Sequence, residues 1–166
     1  MYIKNKNRYQ QLEKLLQKAG WYEGRQTDVQ DFKNFAIEIS FPWTGLVSQF
    51  VKQYADLPIK IVYLGFDADT TAEFDFVLQF TVEDAQSAWQ SKEFKQIIQF
   101  ANEPCLPVGY FGYYYEGCLA IGVSGQIYVA HDYNEEVFSC HELIEAINHE
   151  LRLQSDISII SDKQNG

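Results

Sequence analysis

Residues 139 to 150, SCHELIEAINHE, concentrate two histidines, three glutamates and a cysteine in twelve positions. The run HELIE is one residue away from H-E-x-x-H, in which two histidines one helical turn apart bind zinc and the glutamate acts as a general base. It raises the hypothesis of a metal-dependent hydrolase that uses His141, Glu145 and His149. The two histidines, however, are eight residues apart, which is about 12 Å along a helix. One zinc ion cannot bind both at about 2 Å, so we expect no bound metal and no cofactor.

The same stretch has a simpler interpretation as an ordinary amphipathic helix. Ser139 and Glu142 have the spacing of a capping box at a helix start. Four apolar residues fall within one 100° arc and predict a buried face: Leu143, Ile144, Ile147 and Leu151. His141, Glu145 and His149 then lie towards the solvent side.

A cysteine nucleophile is a second chemical possibility. Cys140 and His141 point 100° apart on a helix and cannot pair, whereas Cys118 and His131 fall on adjacent predicted strands, where a pair remains possible. The alternative is a buried structural cysteine. Three cysteines without C-x-x-C spacing, and an N-terminal segment without an apolar core, favour reduced thiols in a cytoplasmic protein.

A second acidic cluster follows the apolar run IVYLGF. The order D-x-D-x-T resembles the first motif of haloacid-dehalogenase-type phosphatases, but those enzymes need a parallel sheet, and this chain predicts hairpins. We therefore interpret the cluster as an acidic turn between antiparallel strands and a negative patch for a protein partner. Its residues are Asp67, Asp69, Glu73 and Asp75.

Charge is unevenly distributed along the chain. Residues 1 to 33 carry seven Lys/Arg and four Asp/Glu, whereas the remaining residues carry six and nineteen, a net charge of −13. Such a surface repels nucleic acid and anionic membranes and attracts basic proteins. No window approaches 18 apolar residues, so we expect no membrane partner. Acidic and aromatic residues also supply the other predicted partner contacts: Tyr113, Tyr115, Asp132, Glu135 and Glu136.

Hydrophobic periodicity predicts the order α, β, α, ββ, α, βββ, α. Residues 35 to 39 are predicted to form a strand, residues 42 to 58 a helix with Leu46 facing the core, and residues 81 to 102 a helical region broken near Ser91. We expect one α+β domain over residues 1–155, with a mostly antiparallel sheet and helices packed around it, and a frayed tail over 156–166.

Two segments, LLQKAGWYEGR and LPVGYF…CLAIGVSGQIYVAHD…HELIEAINHEL, together resemble the SUKH superfamily of bacterial immunity proteins. The likeness is greatest to its third branch. It rests on structural motif residues: Gly20, Trp21, Gly24, Arg25, Pro107, Gly109 and Gly125. The resemblance implies a SUKH-like α+β fold without catalytic residues. It also implies neutralisation of a cognate toxin, often a nuclease or a deaminase.

The resemblance and the charge favour one function. We expect a cytoplasmic immunity protein that binds a basic protein toxin, without binding nucleic acid directly. A SUKH-type scaffold or regulator that binds an endogenous protein is the alternative, and the sequence leaves it and the oligomeric state open.

Overall fold

The computed structural model describes residues 6–58, 61–66, 72–113, 115–152 and 157–163. These contain six helices and seven strands, with bounds in chain order as follows: α1 (Lys6–Lys18), α2 (Gln30–Glu38), α3 (Gly45–Tyr54), β1 (Ile61–Phe66), β2 (Ala72–Gln79), α4 (Val82–Trp89), α5 (Lys92–Phe100), β3 (Cys105–Tyr113), β4 (Gly117–Gly122), β5 (Ile127–Ala130), β6 (Val137–Cys140), α6 (Leu143–Glu150) and β7 (Ile157–Lys163).

The strands form one antiparallel sheet in the order β6-β5-β4-β3-β2-β1-β7. Strands β1 to β6 form a meander in which each strand pairs with the next along the chain. Only β7 departs from this order, since it returns to pair with β1. The predicted α+β class with an antiparallel sheet is confirmed.

Apolar side chains pack on both faces of the sheet. Side chains alternate along a strand, so Leu119 and Ile121 of β4 enter the larger core cluster with helices α1, α2, α3 and α6. Cys118 and Ala120 face the other way, into a smaller cluster with Phe94 of α5. This two-sided burial explains why β4 is buried along its whole length.

The predicted strand at residues 35 to 39 is wrong, because this segment lies in α2. Phe32, Phe35 and Ala36 recur at helical spacing and are buried, whereas Ile37 is 74% exposed. The run FAIEI alternates like a strand only when Phe32 is ignored. The prediction that Leu46 faces the core is also wrong, since this residue lies in the first turn of α3 at the protein surface and is 52% exposed.

The chain end also differs from expectation. Residues Ile157–Lys163, predicted to fray, form β7 along the edge of β1. The β-branched run ISII favours a strand, and β1 would otherwise leave its edge unpaired. The polar residues that follow this run concealed the strand signal.

Helix α6 begins three residues later than predicted, with its N-cap at Glu142 and not at Ser139. Ser139 pairs with Tyr128 in the β5–β6 ladder, so it is a strand residue and not a cap. Glu142 occupies the N-cap position and makes no side-chain capping bond. The predicted capping box is therefore wrong, and β6 was missed because it has only four residues. In contrast, Thr81 and Asp84 do form a capping box at the start of α4.

Arg25 ties the connection between α1 and α2 to the end of α3. Its buried guanidinium donates hydrogen bonds to the carbonyls of Gln53 (2.8 Å), Ala55 (2.7 Å) and Asp56 (3.1 Å). These carbonyls lie where the helix ends and lack the next helical turn as a partner. The arginine of the G-W-x-x-G-R motif therefore caps α3 from outside.

Glycines of the motifs occupy positions with positive φ, and at two of them an added side chain would also clash. Gly20 ends α1 with φ +107°, and a Cβ there would lie 2.4 Å from the ring of Pro58. Gly109, with φ +156°, follows Pro107 at the register shift between β3 and β4, and its Cβ would lie 1.9 Å from the carbonyl oxygen of Gln79. Gly125, with φ +87°, forms the β4–β5 turn.

Candidate partner-binding surface

Two connections at the same end of neighbouring strands bring exposed tyrosines together. Tyr115 precedes β4 and Tyr133 follows β5; they are 60% and 63% exposed, and their ring centroids lie 6.2 Å apart. Four exposed carboxylate residues belong to the same two connections. We call this surface the tyrosine platform, and it consists of Tyr115, Glu116, Asp132, Tyr133, Glu135 and Glu136.

A buried histidine supports the platform from below. The ring of Tyr133 stacks on that of His131, with centroids 4.9 Å apart and planes at 23°. His131 is itself held by Glu150 at the end of α6, with 2.5 Å between Nε2 and the Glu150 Oε1 atom. A Cβ on Gly117 would lie 2.6 Å from the histidine Nδ1 atom, so a glycine there leaves room for the ring. The platform therefore rests on a buried, well-packed pair.

The part of the chain that contributes the platform carries charge of one sign over a long stretch of sequence. Residues 96 to 151 contain eight Asp/Glu and no Lys or Arg. Glu116, Asp132, Glu135 and Glu136 are all exposed. Positive charge borders the platform at Glu135, which lines a groove with Lys92 and Lys95 of α5.

The predicted contact residues divide into three groups. The structure brings Tyr115, Asp132, Glu135 and Glu136 together in the tyrosine platform. Tyr113 lies in β3, and Glu73 and Asp75 lie in β2; their backbones pair with neighbouring strands. The remaining two predicted contacts, Asp67 and Asp69, lie outside the described residues.

Sequence reasoning missed Tyr133, Glu116 and the supporting pair of His131 and Glu150. Tyr133 lies within the polar run HDYNEE, which reads as an ordinary turn. His131 and Glu150 are nineteen positions apart in the sequence, so only the fold brings them into contact. A lone aromatic residue in an acidic loop was the one available signal.

The three residues of the metal hypothesis have unlike surroundings. His141 is exposed before α6, Glu145 is buried although it was predicted to face solvent, and His149 stacks on Phe138 with centroids 3.8 Å apart. Burial lowers the pKa of His149, and the nearby Arg152 lowers it further. Within the described ranges, no group of three His, Cys, Asp or Glu residues could hold a metal ion.

The possible pair of Cys118 and His131 lacks the features of a nucleophile and its base. Cys118 is fully buried, and burial raises the pKa of its thiol far above the ordinary value. The reactive form of cysteine is the thiolate, which this environment disfavours. The Nε2 atom of His131 is already occupied by Glu150. Burial likewise raises the pKa of Cys105 and Cys140 to about 12.

A family model described as SUKH-3 immunity protein matches residues 8–151. The chain belongs to the SUKH-3 immunity protein family. The match includes both segments on which the resemblance rested. It begins at the third residue of α1 and extends past the end of α6. The predicted resemblance is therefore confirmed. No curated protein and no solved structure matches the chain.

Membership in the SUKH-3 family indicates a toxin-neutralising immunity function. Proteins of this kind generally act by binding rather than by catalysis. Within the part of the chain that the structure describes, no helix is long and apolar enough to cross a membrane.

Proposed function

We propose that this SUKH-3 protein is a non-enzymatic immunity protein that binds and neutralises a cognate polymorphic toxin through the tyrosine platform. The toxin is a basic protein, a nuclease or another enzyme that acts on nucleic acid. The observation that carries the proposal is the pair of exposed tyrosines, supported by a buried histidine, in two connections that also carry four exposed carboxylate residues.

The chemistry of the platform fits such a partner. Enzymes that act on nucleic acid present positive charge to phosphates, and an acidic surface can occupy the same groove. Long-range attraction between opposite charges speeds association. Tyrosine supplies large contact area at low entropic cost and is enriched among residues that dominate binding energy.

The rigid support under Tyr133 favours tight binding. A ring that is already held in place by His131 loses little conformational freedom when a partner covers it. Three buried, unpaired cysteines are typical of a reducing compartment, which supports action in the cytoplasm of the producing cell.

The test is co-expression with the toxin domain encoded beside the gene, followed by calorimetry on the purified proteins. We expect the wild-type protein to protect the host and to bind the toxin. Tyr133→Ala and Tyr115→Ala should each weaken binding by roughly 30-fold, as for residues that dominate an interface. Ile37→Ala is the control, because Ile37 is 74% exposed on α2 and lies outside the platform.

Salt dependence gives a second readout in the same assay. Affinity for the toxin should fall as salt rises, since the platform carboxylates act through screened Coulomb attraction. Absence of both a complex and host protection would refute the proposed function. Equal affinities for the Tyr133→Ala and Ile37→Ala variants would instead exclude the platform as the binding surface.

A further inference from the structure

A groove separate from the tyrosine platform lies at the N-terminal end of α6. It is a groove of about 520 Å³ between α1, the turn after α1, α3, the β4–β5 turn and the start of α6. We call it the α1–α3 groove. None of the platform residues lines it.

Aromatic rings form one wall of the α1–α3 groove. Trp21 and Tyr54 stack with centroids 6.3 Å apart and planes at 21°, and Phe50 packs against Tyr54 at 5.0 Å. All three residues line the groove. The aromatic wall therefore offers π faces and edges of rings that already hold one another in place.

Carboxylates line the groove around these rings. Glu13, Glu23 and Glu142 come from α1, the turn after it and the N-cap of α6, and no lysine or arginine lines the groove. The negative charge reaches the aromatic wall. The pKa of Tyr54 is raised to about 12, first by burial and then by Glu142 and Tyr9.

We infer that the α1–α3 groove binds an arginine side chain of the partner protein. This inference rests on the proposed function, because the partner is the toxin. A guanidinium group is planar, stacks on aromatic rings and donates paired hydrogen bonds to carboxylates. An anionic ligand would be repelled by the three glutamates, and a purely apolar ligand would leave their carboxylates without compensation.

The position of the groove favours a macromolecular partner that also covers the platform. Leu143 and Ile144 of α6 line the groove, whereas Glu150 at the other end of this helix supports the platform. The eight residues of α6 span about 12 Å. A protein interface of ordinary size, about 800 Å² on each partner, can extend over both surfaces. The toxin would then be held at two separated points.

Calorimetry with the toxin domain encoded beside the gene tests the inference. The double variant Glu13→Gln/Glu142→Gln keeps side-chain size and removes two carboxylate charges from the groove. We expect its affinity to fall at least 10-fold relative to the wild-type protein. Glu38→Gln is the matched control, since Glu38 is exposed at the end of α2 and does not line the groove.

A second measurement does not depend on the toxin. The ¹⁵N-labelled protein is titrated with a blocked Gly-Gly-Arg-Gly-Gly peptide and with its citrulline analogue, which lacks the charge. We expect saturable shifts of the Trp21 indole signal with the arginine peptide alone, reduced in the double variant.

The outcomes separate the two proposals. A wild-type protein that does not bind the toxin refutes the proposed function, whatever the peptide does. A double variant that binds the toxin as tightly as Glu38→Gln overturns the groove inference and leaves the proposed function intact. Equal shifts with the arginine and citrulline peptides also overturn it, because charge would then play no part.

Discussion

Removal of the Arg25 side chain should destabilise the protein more than any change of an exposed charge. The substitution Arg25→Met keeps an apolar stem of similar reach and deletes the donors to three carbonyls. The carbonyl of Ala55 is the costly one, because Ala55 is completely buried. The other two acceptors belong to Gln53, which is half-buried, and Asp56, which is exposed, so water can replace part of their bonding.

The magnitude follows from these three environments. A hydrogen bond from a charged donor contributes about 1.5–3 kcal/mol to stability. Most of that contribution is lost when a buried acceptor is left without a partner. We assign about 2–3 kcal/mol to the Ala55 carbonyl and about 1–2 kcal/mol to the two hydrated carbonyls together. The expected loss is therefore about 3–5 kcal/mol, a large part of the stability of a domain of this size. Arg25→Lys should lose about half as much, since an ammonium cannot reach all three carbonyls.

Equilibrium unfolding in urea measures the effect, with circular dichroism and fluorescence as two probes of one transition. Lys18→Met is the control, because Lys18 is exposed in the last turn of α1 and its loss should cost less than about 1 kcal/mol. A loss below about 1 kcal/mol for Arg25→Met, at an unchanged slope, would refute the view that Arg25 caps α3.

Two further predictions follow from the packing. Gly109→Ala should abolish folding or lower the free energy of unfolding by more than about 4 kcal/mol, because the added Cβ meets the carbonyl oxygen of Gln79. The control Gly24→Ala, at φ +82° with open space around it, should cost only about 1–2 kcal/mol. Equal losses in urea unfolding would contradict this prediction. The lowered pKa of His149, which stacks on Phe138, means that the unfolded chain binds its proton first, so stability should fall as pH drops below about 6.5. His149→Gln should reduce that fall between pH 6.5 and 5.5, and an identical pH profile in both proteins would contradict the prediction.

Regular elements were predictable where the signal lies within the element itself. Residues Leu12, Leu15 and Leu16 repeat at helical spacing and are completely buried in α1. Thr81 and Ser91 are the N-caps of α4 and α5, and the side chain of each accepts a hydrogen bond from the backbone amide three residues later. These two caps explain why residues 81 to 102 form two helices. These are local effects, and a single sequence contains them.

The predictions that were wrong concern segments whose structure is determined by tertiary contacts. Ser139 has the correct spacing for a capping box, yet its backbone pairs with Tyr128, and ladder pairing with β5 prevails over the local cap. Ile157–Lys163 forms a strand only because β1 offers an edge at least 91 residues away in sequence. Short strands and chain ends depend on partners that periodicity cannot identify.

The candidate site was predictable only in part, because its residues come from loops that tertiary contacts bring together. Tyr115 and Asp132 were predicted separately, from aromatic exposure and from charge, and only the fold places their loops side by side. The support beneath them, His131 with Glu150, could not be predicted, since neither residue has a neighbour in sequence that indicates the pair. Surface composition is a property of the sequence, whereas preorganisation is a property of the fold.

The three glutamates of SCHELIEAINHE have environments that do not match those of a zinc-protease motif. A zinc protease needs its glutamate and histidines to converge on one point. Here Glu142 lines the α1–α3 groove, Glu145 is buried in α6, and Glu150 pairs with His131 beneath the platform. Their environments diverge along about 12 Å of helix. The three glutamates therefore do not converge as a zinc-protease centre requires, whereas the helix can hold the two proposed contact surfaces in one rigid geometry, as the proposed binding of a toxin requires.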